Sequence, residues 1–180
     1  MEWLNQVAVV TGGARGLGRA TALLLARRGA AVCVNYNAHA DEAEAVVAEI
    51  ATGGGRAIAV AADVADSAAL DAVVARAEAE LGPVTILVNN AGVAWQGTLD
   101  TFDREQVARM RQVNVDGVIH GTRAVMRSMR AQRYGRIVNV ASIAAIGTAR
   151  RAMHSTLQRR PRWSFSRGAL PWSSANTASP

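Results

Sequence analysis

The chain has 180 residues, of which 50% are hydrophobic and 19% are charged, and its mean hydropathy is +0.08. This length and composition are typical of one globular domain and exclude a chain that is disordered throughout, because so many apolar side chains can bury a core. No apolar run approaches the ~18 residues of a membrane-spanning helix, and the N-terminus lacks the basic region of a signal peptide. Cys33 is the single cysteine and cannot form an internal disulfide, which favours a cytoplasmic location.

The charge is distributed unevenly along the chain. All 20 basic residues are Arg, and residues 1–149 contain 14 of them together with all 14 acidic residues, so the net charge of +6 lies in residues 150–180. That last segment shows neither helical nor strand periodicity. We therefore predict a folded domain over residues 1–149 and a disordered, non-native basic tail over residues 150–180. Binding of nucleic acid by the tail is the less favoured alternative, because the rest of the chain is neutral.

Short apolar runs alternate with helical patterns in residues 1–149. In chain order, we predict a strand at 7–10, a helix at 17–28, a strand at 31–34, a helix at 41–51, a strand at 57–61, a helix at 67–81 with Ser67 as its N-cap, a strand at 86–88, a helix at 104–133 and a strand at 137–140. Continuous apolar strands that alternate with helices indicate a parallel sheet covered on both faces. The sequence thus predicts an α/β fold with a doubly wound parallel sheet that is truncated after its fifth strand.

A glycine-rich loop connects the first strand to the first helix. It begins at Thr11 and contains Gly12, Gly16 and Gly18. Glycine permits a tight turn and the close approach of a pyrophosphate to the positive N-terminus of the following helix. The spacing differs from Gly-x-Gly-x-x-Gly, and a turn that needs glycine only for packing is the alternative. The flanking strand and helix favour a dinucleotide-binding loop.

The residues after the second strand bear on the choice of cofactor. Tyr36 stands 18 residues beyond the last glycine and is flanked by Asn35 and Asn37, so no acid is present there to bind the ribose 2′-hydroxyl of NAD. Arg15, in the loop, is a candidate partner for the 2′-phosphate of NADP. We therefore predict NADP rather than NAD. Asp63 follows the third strand, and contact with adenine or a merely polar position near a helix both remain open.

In this order and context, the motifs resemble the short-chain dehydrogenase/reductase family, in its 3-oxoacyl-thioester reductase type, over about residues 5–149. They are Thr-Gly-Gly-x-x-x-Gly-x-Gly from Thr11, then Asp63-Val64, Asn89-Asn90-Ala91-Gly92, Asn114 and Ser142. The resemblance implies a Rossmann-like fold and hydride transfer between NADP(H) and a small-molecule carbonyl or secondary alcohol. It also implies a homo-oligomeric parent protein. The neutral charge of residues 1–149 and the lack of a long apolar run predict binding to neither nucleic acid nor membranes.

The resemblance implies roles for individual residues. Asn114 would anchor a water in a proton relay and Ser142 would donate a hydrogen bond to the substrate carbonyl, although each alone would also suit a cap or a hydrogen bond in the core. No metal ligands are predicted. The predicted cofactor-binding residues are Gly12, Arg15, Gly16, Leu17, Gly18, Tyr36, Asn37, Asp63, Val64, Asn89, Asn90, Ala91 and Gly92.

The sequence departs from the family at the catalytic acid. The family uses a Tyr assisted by a Lys four residues later, because protonated Lys lowers the pKa of the phenol. This chain contains no Lys, and its two tyrosines, Tyr36 and Tyr134, stand at other positions. We therefore expect either an inactive chain from an NADP-dependent oxidoreductase lineage or a non-catalytic dinucleotide-binding remnant.

A shift of reading frame near codon 149 would account for the tail. If Ser155 is encoded by TCT and Thr156 by ACG, the shifted frame reads TAC, a Tyr codon. Continuing to Arg160 permits Ala-Ala-Thr-Lys, which completes the missing pair. The hypothesis is refuted if the coding DNA holds no family-like continuation in another frame. Loss of the later strands is also expected to leave the edge of the sheet unprotected.

Overall fold

The computed structural model describes residues 3–95 and 100–142. The predicted tail, residues 150–180, and the last residues of the predicted domain, 143–149, lie outside the described residues, as does the position of the proposed frameshift. The described elements are β1 (Val7–Val10), α1 (Gly16–Arg27), β2 (Ala31–Tyr36), α2 (Ala40–Thr52), β3 (Ala57–Ala61), α3 (Ser67–Leu81), β4 (Ile86–Asn89), α4 (Arg104–Arg111), a π-helical turn (Gln112–Asp116), α5 (Gly117–Gln132) and β5 (Arg136–Asn139).

The five strands form one parallel sheet in the order β3-β2-β1-β4-β5. The chain builds outward from β1 to β3, then crosses back to place β4 on the other side of β1. This reversal creates a crevice at the carboxyl ends of β1 and β4, which is where open α/β sheets bind ligands. The predicted doubly wound, Rossmann-like sheet is confirmed.

Two apolar layers cover the sheet. Successive side chains of a strand point to opposite faces, so Val9 packs with Leu70 of α3 and Val125 of α5, whereas Val10 packs with Val46 of α2 on the other face. All five of these residues are at most 1% exposed. Each fully buried side chain of this size contributes about 1.5–3 kcal/mol relative to an exposed one. The two layers therefore keep the strands in place, and the carboxyl ends of these strands form the crevice.

Two predictions about helices are wrong in detail. The predicted helix at 104–133 is divided into α4 and α5 by the π-helical turn, and periodicity alone does not reveal the extra residue that such a turn accommodates. The N-cap of α3 is Asp66 rather than Ser67, because the Asp66 carboxylate accepts hydrogen bonds from the amides of Ala68 and Ala69 at 2.8 and 3.2 Å. A carboxylate at this position also interacts favourably with the positive end of the helix.

The outer strand β5 is the most exposed part of the described sheet. It pairs with β4, and Ile137 and Val138 remain 36% and 51% exposed. Within residues 3–95 and 100–142, no strand pairs with the outer edge of β5, and apolar side chains on such an edge favour association with another strand. Among the described residues, no helix is both long and apolar enough to cross a membrane.

Candidate functional site

A cleft of about 410 Å³ lies at the carboxyl ends of the strands. Ten of the thirteen predicted cofactor-binding residues line it, namely Gly12, Arg15, Leu17, Tyr36, Asn37, Asp63, Val64, Asn90, Ala91 and Gly92. The remaining three, Gly16, Gly18 and Asn89, are not among the described residues that line the cleft. Eight residues that line the cleft were not predicted as cofactor-binding, namely Ala14, Asn35, Ala38, His39, Ala62, Val93, Arg109 and Val113.

The glycine-rich loop forms one end of the cleft. Gly12 and Gly16 have φ angles of +62° and +56°, in the left-handed region that favours glycine. Gly18 lies beneath the loop, where an added Cβ would stand 2.2 Å from the carbonyl oxygen of Gly12 and 2.5 Å from Nδ2 of Asn90. Among the described residues, no acidic side chain occupies the first turn of α1 and Arg15 makes no side-chain cap. The positive N-terminus of α1 therefore faces the cleft without an internal anion.

Hydrogen bonds tie the loop to the segment after β4. The Thr11 hydroxyl accepts from the amides of Asn90 and Ala91, both at 3.0 Å, and donates to the carbonyl of Val88 at 3.3 Å. The Asn90 amide group in turn donates to the carbonyls of Thr11 and Gly12 at 2.9 and 3.0 Å. The Asn90 side chain thus holds the loop in shape, and Thr11, to which the sequence assigns no role, is the centre of this network.

The end of β2 carries no carboxylate. Tyr36, Asn37 and His39 line the cleft there, and Arg15 lines it from the loop. Asn35 is buried, and its amide group donates to the carbonyls of Val60 and Ala62, so it secures β2 to the end of β3. His39 has a φ of 68°, and its Nδ1 lies 3.6 Å from a carboxylate oxygen of Glu42. The described residues on this side of the cleft are therefore neutral or basic.

Asp63 follows β3, beside the end of β2, and is held by two partners. Its Oδ1 accepts a hydrogen bond from the amide of Ala65 at 3.0 Å, and its Oδ2 lies 2.7 Å from Nη2 of Arg109 in α4. Both side chains are about one-third exposed. Asp63 lines the cleft, and its contact with adenine stays a prediction. No local sequence pattern indicates that Arg109 belongs to the cleft, because its partner Asp63 lies 46 residues away in the sequence.

The two predicted catalytic residues occupy different surroundings. Asn114 is buried in the π-helical turn, where its Oδ1 accepts from the amide of Val93 at 2.9 Å and its Nδ2 donates to the carbonyl of Val93 at 2.8 Å. Its side-chain amide is thus occupied in holding the wall of the cleft. Ser142 follows the end of β5 by three residues, at the same edge of the sheet, but it is not among the described residues that line the cleft.

Asn89 joins two strands beneath the cleft. Its Nδ2 donates to Oδ1 of Asn139 in β5 at 2.9 Å, and only 4% of the residue is exposed. A Cβ on Gly121 of α5 would stand 2.6 Å from Oδ1 of Asn89. Helix α5 approaches β4 this closely only because residue 121 is glycine. The structure therefore gives Asn89 a place in the framework below the cleft rather than on its surface.

Comparison with known proteins agrees with this geometry. The sequence profile of the family described as short chain dehydrogenase matches residues 6–156. The 3-oxoacyl-[acyl-carrier-protein] reductase of Synechocystis is 42% identical over 141 residues, which cover 78% of this chain and 57% of that protein. The 2,3-dihydro-2,3-dihydroxybenzoate dehydrogenase of Bacillus subtilis is 42% identical over 150 residues, which cover 83% of this chain and 56% of that protein.

A solved structure shows the same fold. The short chain dehydrogenase of Burkholderia cenocepacia, in complex with NADP, superposes with a TM-score of 0.82 at 37% identity, covering 88% of this chain and 64% of that one. The chain thus spans less than two thirds of the length of each of these relatives. The parallel sheet, the glycine loop at its switch point and the profile match lead to one conclusion: the chain belongs to the short-chain dehydrogenase family.

Proposed function

We propose that this chain binds NADP(H) in the cleft and comes from the lineage of an oxidoreductase that interconverts a carbonyl and a secondary alcohol. The observation that carries the proposal is the cradle at the N-terminus of α1, where a Cβ on Gly18 would stand 2.2 Å from the backbone of the loop. Such close backbone packing beside an uncapped helix end suits a pyrophosphate. When bound, the nicotinamide cofactor supplies or accepts the hydride.

The residues present fit a dinucleotide along the whole cleft. Backbone amides at the start of α1 would bind the pyrophosphate, and Tyr36 and Asn37 would lie beside the adenosine ribose. Asp63 would accept a hydrogen bond from adenine, whose ring would rest against Val64. The segment from Ala91 onward would line the path toward the nicotinamide. Each of these residues lines the same cleft, which supports one extended ligand rather than several small ones.

Arg15 favours NADP over NAD in this proposal. It lines the cleft together with the end of β2, where the described residues offer no carboxylate to the ribose 2′-hydroxyl. A guanidinium forms strong, charge-assisted hydrogen bonds with phosphate oxygens. The NADP bound to the relative from Burkholderia cenocepacia lends further support.

We further propose that the chain binds the cofactor without turnover. Tyr36 lies at the ribose end of the cleft, and Tyr134 precedes β5 and therefore stands at the opposite edge of the sheet from the cleft. Neither phenol is placed to transfer a proton to a substrate beside Ser142, and the sequence contains no Lys to lower the pKa of one. Ser142 would retain only its part in holding a substrate carbonyl. The parent protein would be a cytoplasmic homo-oligomer.

Titration of the purified chain with NADPH and NADH tests the cofactor proposal. We expect NADPH to bind more tightly, and Arg15→Gln to weaken NADPH binding about tenfold while leaving NADH binding nearly unchanged, since only NADPH carries the extra phosphate. Arg19→Gln is the matched control, because Arg19 lies in α1 only four residues beyond Arg15 but pairs with Glu49 outside the cleft. Equal affinities for both cofactors in all three proteins would contradict the proposal.

Consumption of NADPH with a 3-oxoacyl thioester tests the second part. We expect no consumption above the rate without protein. Sustained turnover by the purified chain would show that another group serves as the acid and would overturn the proposal of binding without catalysis.

A further inference from the structure

Asp63 and Val64 form one wall of the cleft, which we call the adenine wall. Three contacts attach this wall to the helical run formed by α4, the π-helical turn and α5. Arg109 of α4 lies 2.7 Å from Asp63. A Cβ on Gly117, at the start of α5, would stand 2.8 Å from Cγ2 of Val64, so helix and wall are in direct contact. One turn further, Nδ1 of His120 lies 3.1 Å from the carbonyl oxygen of Val64. The position of this wall is therefore set by the helical run.

The same helical run holds the facing wall. Asn114 binds both the amide and the carbonyl of Val93, which lines the cleft after β4. A π-helical turn accommodates one more residue than an α-helical turn and changes the angular position of the residues that follow. Here the turn allows Arg109, Asn114 and Gly117 to contact the cleft walls together. One helical run thus fixes the distance between the two walls.

We infer that Arg109 is a positioning residue for the adenine end of the cleft, a role that rests on the proposed dinucleotide function. Its guanidinium holds Oδ2 of Asp63 while the amide of Ala65 holds Oδ1. The two contacts thereby fix the orientation of the carboxylate in the cleft, where its oxygens accept hydrogen bonds. Such a group favours the exocyclic amino group of adenine and repels the oxygen that replaces it in hypoxanthine.

The test compares NADPH with its hypoxanthine analogue, deamino-NADPH, in which the 6-amino group is replaced by an oxygen and N1 carries a hydrogen. We expect the natural chain to prefer NADPH about tenfold, and Arg109→Leu to reduce this ratio to about twofold or less, because Asp63 loses the partner that orients it. Arg109→Lys should regain part of the ratio, since a lysine supplies the charge without the planar, two-pronged geometry.

Arg123→Leu is the matched control. Arg123 joins α5 to Asp71 of α3 at 3.3 Å, also between an arginine and an aspartate of different elements, but neither residue lines the cleft. We expect this variant to keep the ratio of the natural chain, whatever its effect on stability.

Each outcome separates the inference from the proposed function. A natural chain that fails to bind NADPH overturns both. A natural chain that binds NADPH without discriminating against deamino-NADPH, or an Arg109→Leu variant that keeps the full ratio, overturns the inference alone, even if the variant is less stable. A ratio lost in Arg109→Leu and not regained in Arg109→Lys also overturns it. Loss in the leucine variant, partial recovery with lysine and an unchanged control support it.

Discussion

Gly18→Ala is the most informative single change in the glycine loop, because two physical effects of known size oppose each other. Gly18 lies in the first turn of α1, where alanine is favoured over glycine by about 1 kcal/mol on helix propensity. The added Cβ, however, would stand 2.2 Å from the carbonyl oxygen of Gly12, and ordinary contact begins at 3.4 Å. The loop or the helix must therefore move by about 1.2 Å (3.4 − 2.2).

The loop is poorly able to make this movement. Gly12 already has a φ of +62°, and its carbonyl accepts a hydrogen bond from Asn90 at 3.0 Å. Overpacking against a fixed group costs about 1–3 kcal/mol. With the gain in propensity subtracted, we expect a net loss of about 0–2 kcal/mol in the free energy of unfolding. Because the shift occurs within the loop proposed to bind the pyrophosphate, we also expect NADPH binding to weaken by at least tenfold.

Urea unfolding followed by tryptophan fluorescence measures the first effect, and titration with NADPH measures the second. Gly53→Ala is the control, because Gly53 caps α2 with a φ of −78° and an added Cβ would approach the carbonyl oxygen of Ile50 no closer than 3.4 Å. We expect the control to stay within about 0.5 kcal/mol of the natural chain. A Gly18→Ala variant that is as stable as the control and binds NADPH normally would refute the reasoning.

Three further predictions follow from other parts of the chain. Asn114→Ala removes both hydrogen bonds to Val93 and should lower the free energy of unfolding by about 1–3 kcal/mol. Asn114→Asp keeps the acceptor but sets a buried carboxylate oxygen against the Val93 carbonyl, so it should lose at least as much. A smaller loss for the aspartate variant in urea unfolding would contradict this. Burial raises the pKa of the Cys33 thiol from about 9 to about 12, so the folded state disfavours the thiolate and stability should fall as the pH rises through this range. Cys33→Ala should reduce this loss of stability at high pH. A pH profile identical to that of the natural chain would exclude ionisation of the thiol as its cause. Val138→Lys places a charge on the exposed outer strand β5. Because a charge there opposes pairing with another strand, concentration-dependent association measured by light scattering should decrease. Unchanged association would show that another surface is responsible.

Much of the fold follows from patterns that are local in the sequence. Apolar runs such as Val7–Val10 predict a buried parallel strand, because both faces of such a strand meet helices. The glycines between β1 and α1 predict the loop, because a positive φ angle or a close backbone contact at one position can be met by glycine alone, whatever the rest of the chain does. The same local patterns predict ten of the residues that line the cleft.

Other features depend on which parts of the chain meet. The pairing of Arg109 with Asp63, and of Asn114 with Val93, requires the sheet order and the angular position of the helical run, which the π-helical turn sets. No periodicity in the sequence marks that turn. Similarly, Asn89 resembles a cofactor-binding residue in its motif, yet it lies below the cleft because β5 pairs beside it and Gly121 allows α5 to approach. Local patterns determine the elements and the loop, whereas side-chain partners far apart in the sequence are decided only when the sheet brings them together.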